Sequence, residues 1–100
     1  MKFMLTWQLH ADAKMDALAA FSQMTAQEDA ADHGPDITII GRWHDLPSGS
    51  GICILESNSA TAVAAWAYNW GAALQAKVTP VLDDAEIRAV VRGKLMKQGT

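Results

Sequence analysis

Hydrophobic and polar positions change period several times along the chain, and each change marks an element. Residues 2–8 (KFMLTWQ) alternate, with Phe3, Leu5 and Trp7 on one side and Met4, Thr6 and Gln8 on the other, as a β-strand requires. His10, Ala11 and Asp12 turn the chain, Asp12 serving as an N-cap. Over residues 13–27 the spacing becomes three (Met15, Leu18, Phe21, Met24), which predicts a helix. Gly34 and Pro35 in EDAADHGPD break the pattern and predict a loop of about eight residues. Residues 36–45 (DITIIGRWHD) and 51–57 (GICILES) read as two strands joined through the hairpin LPSGSG. Asn58 and Ser59 offer caps for a helix over roughly 60–75, where Val63, Trp66, Trp70 and Leu74 share a side. Residues 77–82 (KVTPVL) form a fourth strand, and Pro80, which has no amide donor, places it at a sheet edge. Asp83 and Glu86 have capping-box spacing for a last helix over 84–100, with Ile87, Val90, Val91 and Leu95 as its apolar stripe.

The order βαββαβ with right-handed crossovers predicts an α+β fold: a ferredoxin-like sandwich with strand order 4-1-3-2, helices on one face and an extra C-terminal helix. No linker or internal repeat divides the chain, so residues 1–100 read as one domain with 84–100 as an extension. The two central strands are apolar on both sides: Phe3, Leu5 and Trp7 against Met4, and Ile52 and Ile54 against Cys53 and Leu55. A sheet covered on one face only should alternate apolar with polar. The simplest cover for the second face is the same face of another copy, giving a homodimer in the form of a dimeric α/β barrel.

Composition supports that expectation. Half of the 100 residues are hydrophobic, yet 18 of them are alanine and only 21 are Leu, Ile, Val or Phe, so four tryptophans and five methionines supply much of the bulk. A chain this short leaves a sizeable share of its apolar surface uncovered, which points to a partner or a pocket. The net charge of -3 argues against nucleic acid or an anionic membrane as partner. Arg88, Arg92, Lys94 and Lys97 read as a solvated helix face that complements the helix dipole. No apolar run reaches the roughly 18 residues of a membrane span, and the N-terminus has no signal-peptide pattern. The single cysteine, Cys53, allows no internal disulfide and reads as a buried hydrophobe; a cytoplasmic location is the resulting expectation.

The segments MKFMLTW at the start, GRWHD at 41–45 and VTPVLDD at 78–84, in this order, resemble a family of short bacterial proteins known as a domain of unknown function. That family is similar in turn to the dimeric α/β-barrel superfamily of ferredoxin-like proteins. The similarity covers most of the first 84 residues, with GRWHD its most specific part. The alanine-rich second helix and the extra C-terminal helix depart from it and inherit no role. The resemblance implies the fold and dimerisation but no reaction, because members of the superfamily include cofactor-free monooxygenases, isomerases, haem-dependent enzymes and plain binding proteins. It also implies that a ligand cavity, where present, lies between sheet and helices.

Candidate chemistry centres on GRWHD. Arg42 and His44 are two apart on a strand and so share a face, about 6–7 Å apart along it, with Trp43 on the other. A guanidinium holds a carboxylate or enolate at two points, and an imidazole exchanges a proton near neutral pH. The plainer reading makes both polar residues of an edge strand, solvated or paired across the dimer. Trp7, Trp66 and Trp70 suit the wall of a pocket, with Asn69 or Tyr68 at its mouth, although aromatic residues at helical spacing are more often core. Two indoles also need acceptors for their N–H groups. His10 is a candidate for the pocket mouth or a plain turn residue, and His33 a candidate lid residue. The three histidines lack metal-site spacing and SGSG lacks the Lys-Ser/Thr of a phosphate loop, so no metal or cofactor is implied.

Three expectations result. The first is a binding protein for a small apolar or acidic ligand, an aromatic or fatty-acid-like carboxylate or carbonyl compound, held by Trp7, Trp66 and Trp70 with Arg42 or His44 at its head group. The second is a cofactor-independent monooxygenase or isomerase in which His44 or His10 moves a proton. The third is a structural or interaction dimer with no pocket.

Overall fold

The computed structural model describes residues 1–98; residues 99 and 100, the end of the expected C-terminal extension, lie outside the described residues. Its elements are β1 (Lys2–Leu9), α1 (Lys14–Ser22), α2 (Ala26–His33), β2 (Thr38–Asp45), β3 (Ser50–Glu56), α3 (Ala60–Asn69), β4 (Leu74–Val81) and α4 (Asp84–Gln98). The strands form one antiparallel sheet in the order β2-β3-β1-β4, so the architecture is α+β and compatible with a ferredoxin-like fold. Pro80 lies opposite Phe3 on β4, an edge strand, where its missing amide breaks no inner ladder.

Strand parity decides which side chains face the helices. Leu5 pairs with Cys53 and Phe3 with Leu55, and all four are buried on one face with Ile37, Val63 and Trp66. The opposite face carries Met4 against Ile54 and Thr6 against Ile52. On β2 a bulge at Ile40 changes the parity: Ile39 pairs with Leu55, Gly41 with Ile54, and Arg42 with Cys53. Ile39 and Arg42 therefore both point toward the helices, three residues apart, and His44, opposite Gly51, follows Arg42. Without the extra residue, alternation from Ile39 would turn Gly41 and Trp43 inward. Trp43 instead lies on the open face, 60% exposed, its ring across Gly41, where a Cβ would collide with it.

The expected helix over 13–27 is two helices. Apolar positions three apart advance by about 300° per step, so four of them drift halfway round a helix and no single face holds them all. Leu18 and Phe21 turn toward the sheet, whereas Met15 is 75% exposed. Thr25 starts α2 with a reciprocal capping box: its hydroxyl accepts from the Glu28 amide at 3.1 Å, and Glu28 Oε1 accepts from the Thr25 amide at 3.2 Å. Residues 28–33, expected in a loop, are consequently helical, and the break comes at Gly34, whose φ of 86° suits a residue without a Cβ.

The helix expected to run to residue 75 ends at Asn69, because the chain turns over Trp70–Ala73 and Leu74 opens β4 opposite Leu9. Ser59 caps its start, accepting from the Ala62 amide at 3.1 Å. The capping box at Asp83 and Glu86 forms as the spacing indicates, with amide-to-carboxylate distances of 2.8 and 3.0 Å. None of the residues of α4 is buried, and Ile87, Val90, Val91 and Leu95 are each about half exposed. Among the described residues, no helix is long and apolar enough to cross a membrane.

Candidate functional site

Between the sheet and α1, α2 and α3 lies a cavity of about 80 Å³. Its floor comes from β1, β2 and β4 through Leu5, Trp7, Leu9, Arg42, His44, Leu74 and Ala76. Its roof and sides come from Ala17, Leu18 and Phe21 of α1, Asp29 and Asp32 of α2, and Trp66, Ala67 and the adjoining Trp70 of α3. None of the residues of α1 or α2 is buried, whereas α3 sets Val63 and Trp66 into the core, so these two walls are more lightly anchored than α3.

The acidic residues come from α2, where Asp29 and Asp32 are three apart and so share a side. Asp32 Oδ2 accepts from both indoles of α3, from Trp66 Nε1 at 2.9 Å and Trp70 Nε1 at 2.8 Å. These tryptophans lie four apart on α3, a spacing that lets one oxygen serve both. The His33 ring stands edge-on to Trp66, with centroids 5.9 Å apart. Asp29 Oδ2 accepts from Arg42 Nη2 at 2.7 Å, and the guanidinium lies 5.0 Å from the centre of the Phe21 ring. Asp29 Oδ1 is buried and has no hydrogen-bond partner among the described residues.

His44 touches Phe21 at 5.2 Å and Trp7 at 5.3 Å between ring centroids. Although His44 is largely exposed, desolvation of its ring on the side packed against the protein, and then the positive charge of Arg42, hold its pKa below the usual histidine value, which favours the neutral imidazole. Burial likewise pushes the Cys53 thiol upward, as expected of a cysteine that packs as a hydrophobe.

Five of the residues singled out in the sequence, Trp7, Arg42, His44, Trp66 and Trp70, meet at this cavity. Two do not line it. The His10 ring lies 3.4 Å from the Gly71 carbonyl in the turn after α3, and Asn69 is exposed at the C-terminal end of α3, outside the lining. Tyr68, proposed for the mouth, is 85% exposed and is also outside the lining. Asp29 and Asp32 were not legible as site residues while their segment read as a loop. The signals that would have found them are the Thr25–Glu28 capping box and the unmet need of two indoles for acceptors.

The sequence pattern of a domain of unknown function (DUF3303) matches residues 1–95. The chain belongs to this family. The DUF3303 match takes in every residue of the cavity and most of α4, extending beyond the 84 residues that carry the motif resemblance. No curated protein matches the chain.

Proposed function

We propose that this DUF3303 chain is a small-molecule-binding protein, holding an apolar or aromatic ligand between sheet and helices. The observation that carries the reading is the cavity itself: aromatic walls from Trp7, Phe21, Trp66 and Trp70 surround a polar end formed by Arg42, His44 and Asp29. A mainly apolar cavity with few converging polar groups is the usual form of a ligand site. Of the head groups expected from the sequence, a carbonyl is favoured over a carboxylate, because Arg42 is already paired with Asp29.

We further propose that the protein works as a cytoplasmic homodimer through the open sheet face. Met4, Ile52, Ile54 and the ring of Trp43 lie there without cover from the chain's own helices. Apolar side chains on a sheet face favour burial, and a two-fold copy of the same face provides it.

One observation favours a second reading, a cofactor-independent isomerase or monooxygenase. His44 reaches the cavity with its neutral form favoured, as a general base needs. His44→Ala separates the two: loss of turnover at unchanged affinity supports the enzyme, and weaker binding with no turnover in either form supports the binding protein. A high-resolution crystal structure of the protein as purified tests both at once. Density for a small molecule beside Trp66 and Arg42 is the expected result, and a cavity closed by the protein's own side chains would overturn both.

A further inference from the structure

The chemistry around the cavity restricts what it can hold, on the reading that it is a ligand site. Its lining carries two carboxylates and one guanidinium, and the guanidinium is engaged by Asp29 at 2.7 Å. An anionic head group would enter a surface with more negative than positive charge and would compete with Asp29 for Arg42. The indole N–H groups of Trp66 and Trp70 are both committed to Asp32 Oδ2, so these rings offer faces and edges but no free donor. The unmet need is for a donor: Asp29 Oδ1 is buried and accepts from no group among the described residues. A buried acceptor gains from any ligand that brings an O–H or N–H to it.

We infer that the ligand is an uncharged single-ring aromatic compound bearing a hydroxyl or N–H, of the phenol kind, whose donor hydrogen bonds to Asp29 while its ring packs among Trp7, Phe21, Trp66 and Trp70. The ring matches the walls in chemistry, and the donor answers an oxygen left unpaired among the described residues. Discrimination against the same ring without the donor comes from leaving that oxygen unpaired, and discrimination against the ring with a carboxylate comes from charge.

Three probes of similar size test the inference on the whole protein: phenol, toluene and benzoate, titrated at pH 7.5 by calorimetry and by the indole N–H signals of Trp66 and Trp70 in NMR spectra. Phenol should bind saturably, toluene more weakly, and benzoate at least about tenfold more weakly than phenol. Asp29→Asn, which removes one negative charge and frees Arg42, should narrow the gap between phenol and toluene and strengthen benzoate. Should this variant fail to fold, the order of the three probes on the native protein still decides. Benzoate or toluene binding as tightly as phenol would overturn the donor assignment and leave the ligand site standing. Failure of all three to bind at millimolar concentration would overturn the ligand site and the assignment with it.

Discussion

Trp7 and His44 stand edge to face with ring centroids 5.3 Å apart, although they sit on β1 and β2 with β3 between them. They meet because the β3 residue opposite both is Gly51, and a Cβ there would collide with the indole of Trp7. The cavity floor thus depends on a residue with no side chain. Gly51→Ala should displace Trp7, cost about 1–3 kcal/mol of stability as an overpacked site does, and weaken ligand binding. Urea unfolding followed by tryptophan fluorescence measures the first effect. An unchanged midpoint together with an unchanged spectrum would mean that the contact does not constrain the floor.

Asp32 bridges two indoles, so its removal should cost more than a surface aspartate. Asp32→Ala leaves two N–H donors without their acceptor, each worth about 1–3 kcal/mol when buried, with the half-buried Trp70 nearer the lower end. Asp32→Asn keeps a carbonyl oxygen in place and should lose less. The comparison to make is a double-mutant cycle with Trp66→Phe, and additivity within about 0.5 kcal/mol would show that the bridge carries no coupling.

The imidazole of His44 gives stability a definite pH dependence. Its folded pKa is lowered by partial desolvation and by Arg42, so the unfolded chain takes up the proton more readily. The stabilisation is therefore present above the ordinary histidine pKa near 6.5 and declines as pH falls through the lower folded value. Denaturation midpoints measured from pH 8 down to about pH 5 should fall, and His44→Gln should flatten the part of that slope due to this group. An identical slope in the variant would assign the dependence elsewhere.

Ile54 lies near the middle of the open sheet face, opposite Met4 on one side and Gly41 on the other. A lysine there should leave each chain folded but place a charge where the second copy is proposed to pack, shifting dimer to monomer. Light scattering coupled to size-exclusion chromatography at micromolar concentration gives the answer. A monomeric native protein under those conditions would remove the proposed dimer.

Much of the sheet was legible from the sequence because period-2 alternation reports strand faces directly: β1, β3, their central position and the edge place of β4 follow from Phe3, Leu5, Cys53, Leu55 and Pro80. The helical side was less legible. Gly34 and Pro35 draw the eye to a break that starts too early, and the helix-forming run before them, AQEDAAD, has no apolar stripe to advertise α2. The site residues on β2 could be paired by their spacing, but the side of the sheet they face could not. The run Ile37–Thr38–Ile39–Ile40 has apolar residues of both parities, and only pairing with β3 selects Ile40 as the one left over.

That selection has a consequence for reading relatives. The chemistry of GRWHD resides in the number of residues between Ile37 and Arg42 as much as in the letters themselves. A relative that kept all five letters but had one residue fewer before them would direct an indole at the cavity and send its arginine and histidine to the opposite surface. Motif identity would then be complete and site identity nil, so transfer of any function through this motif requires the spacing to be matched first.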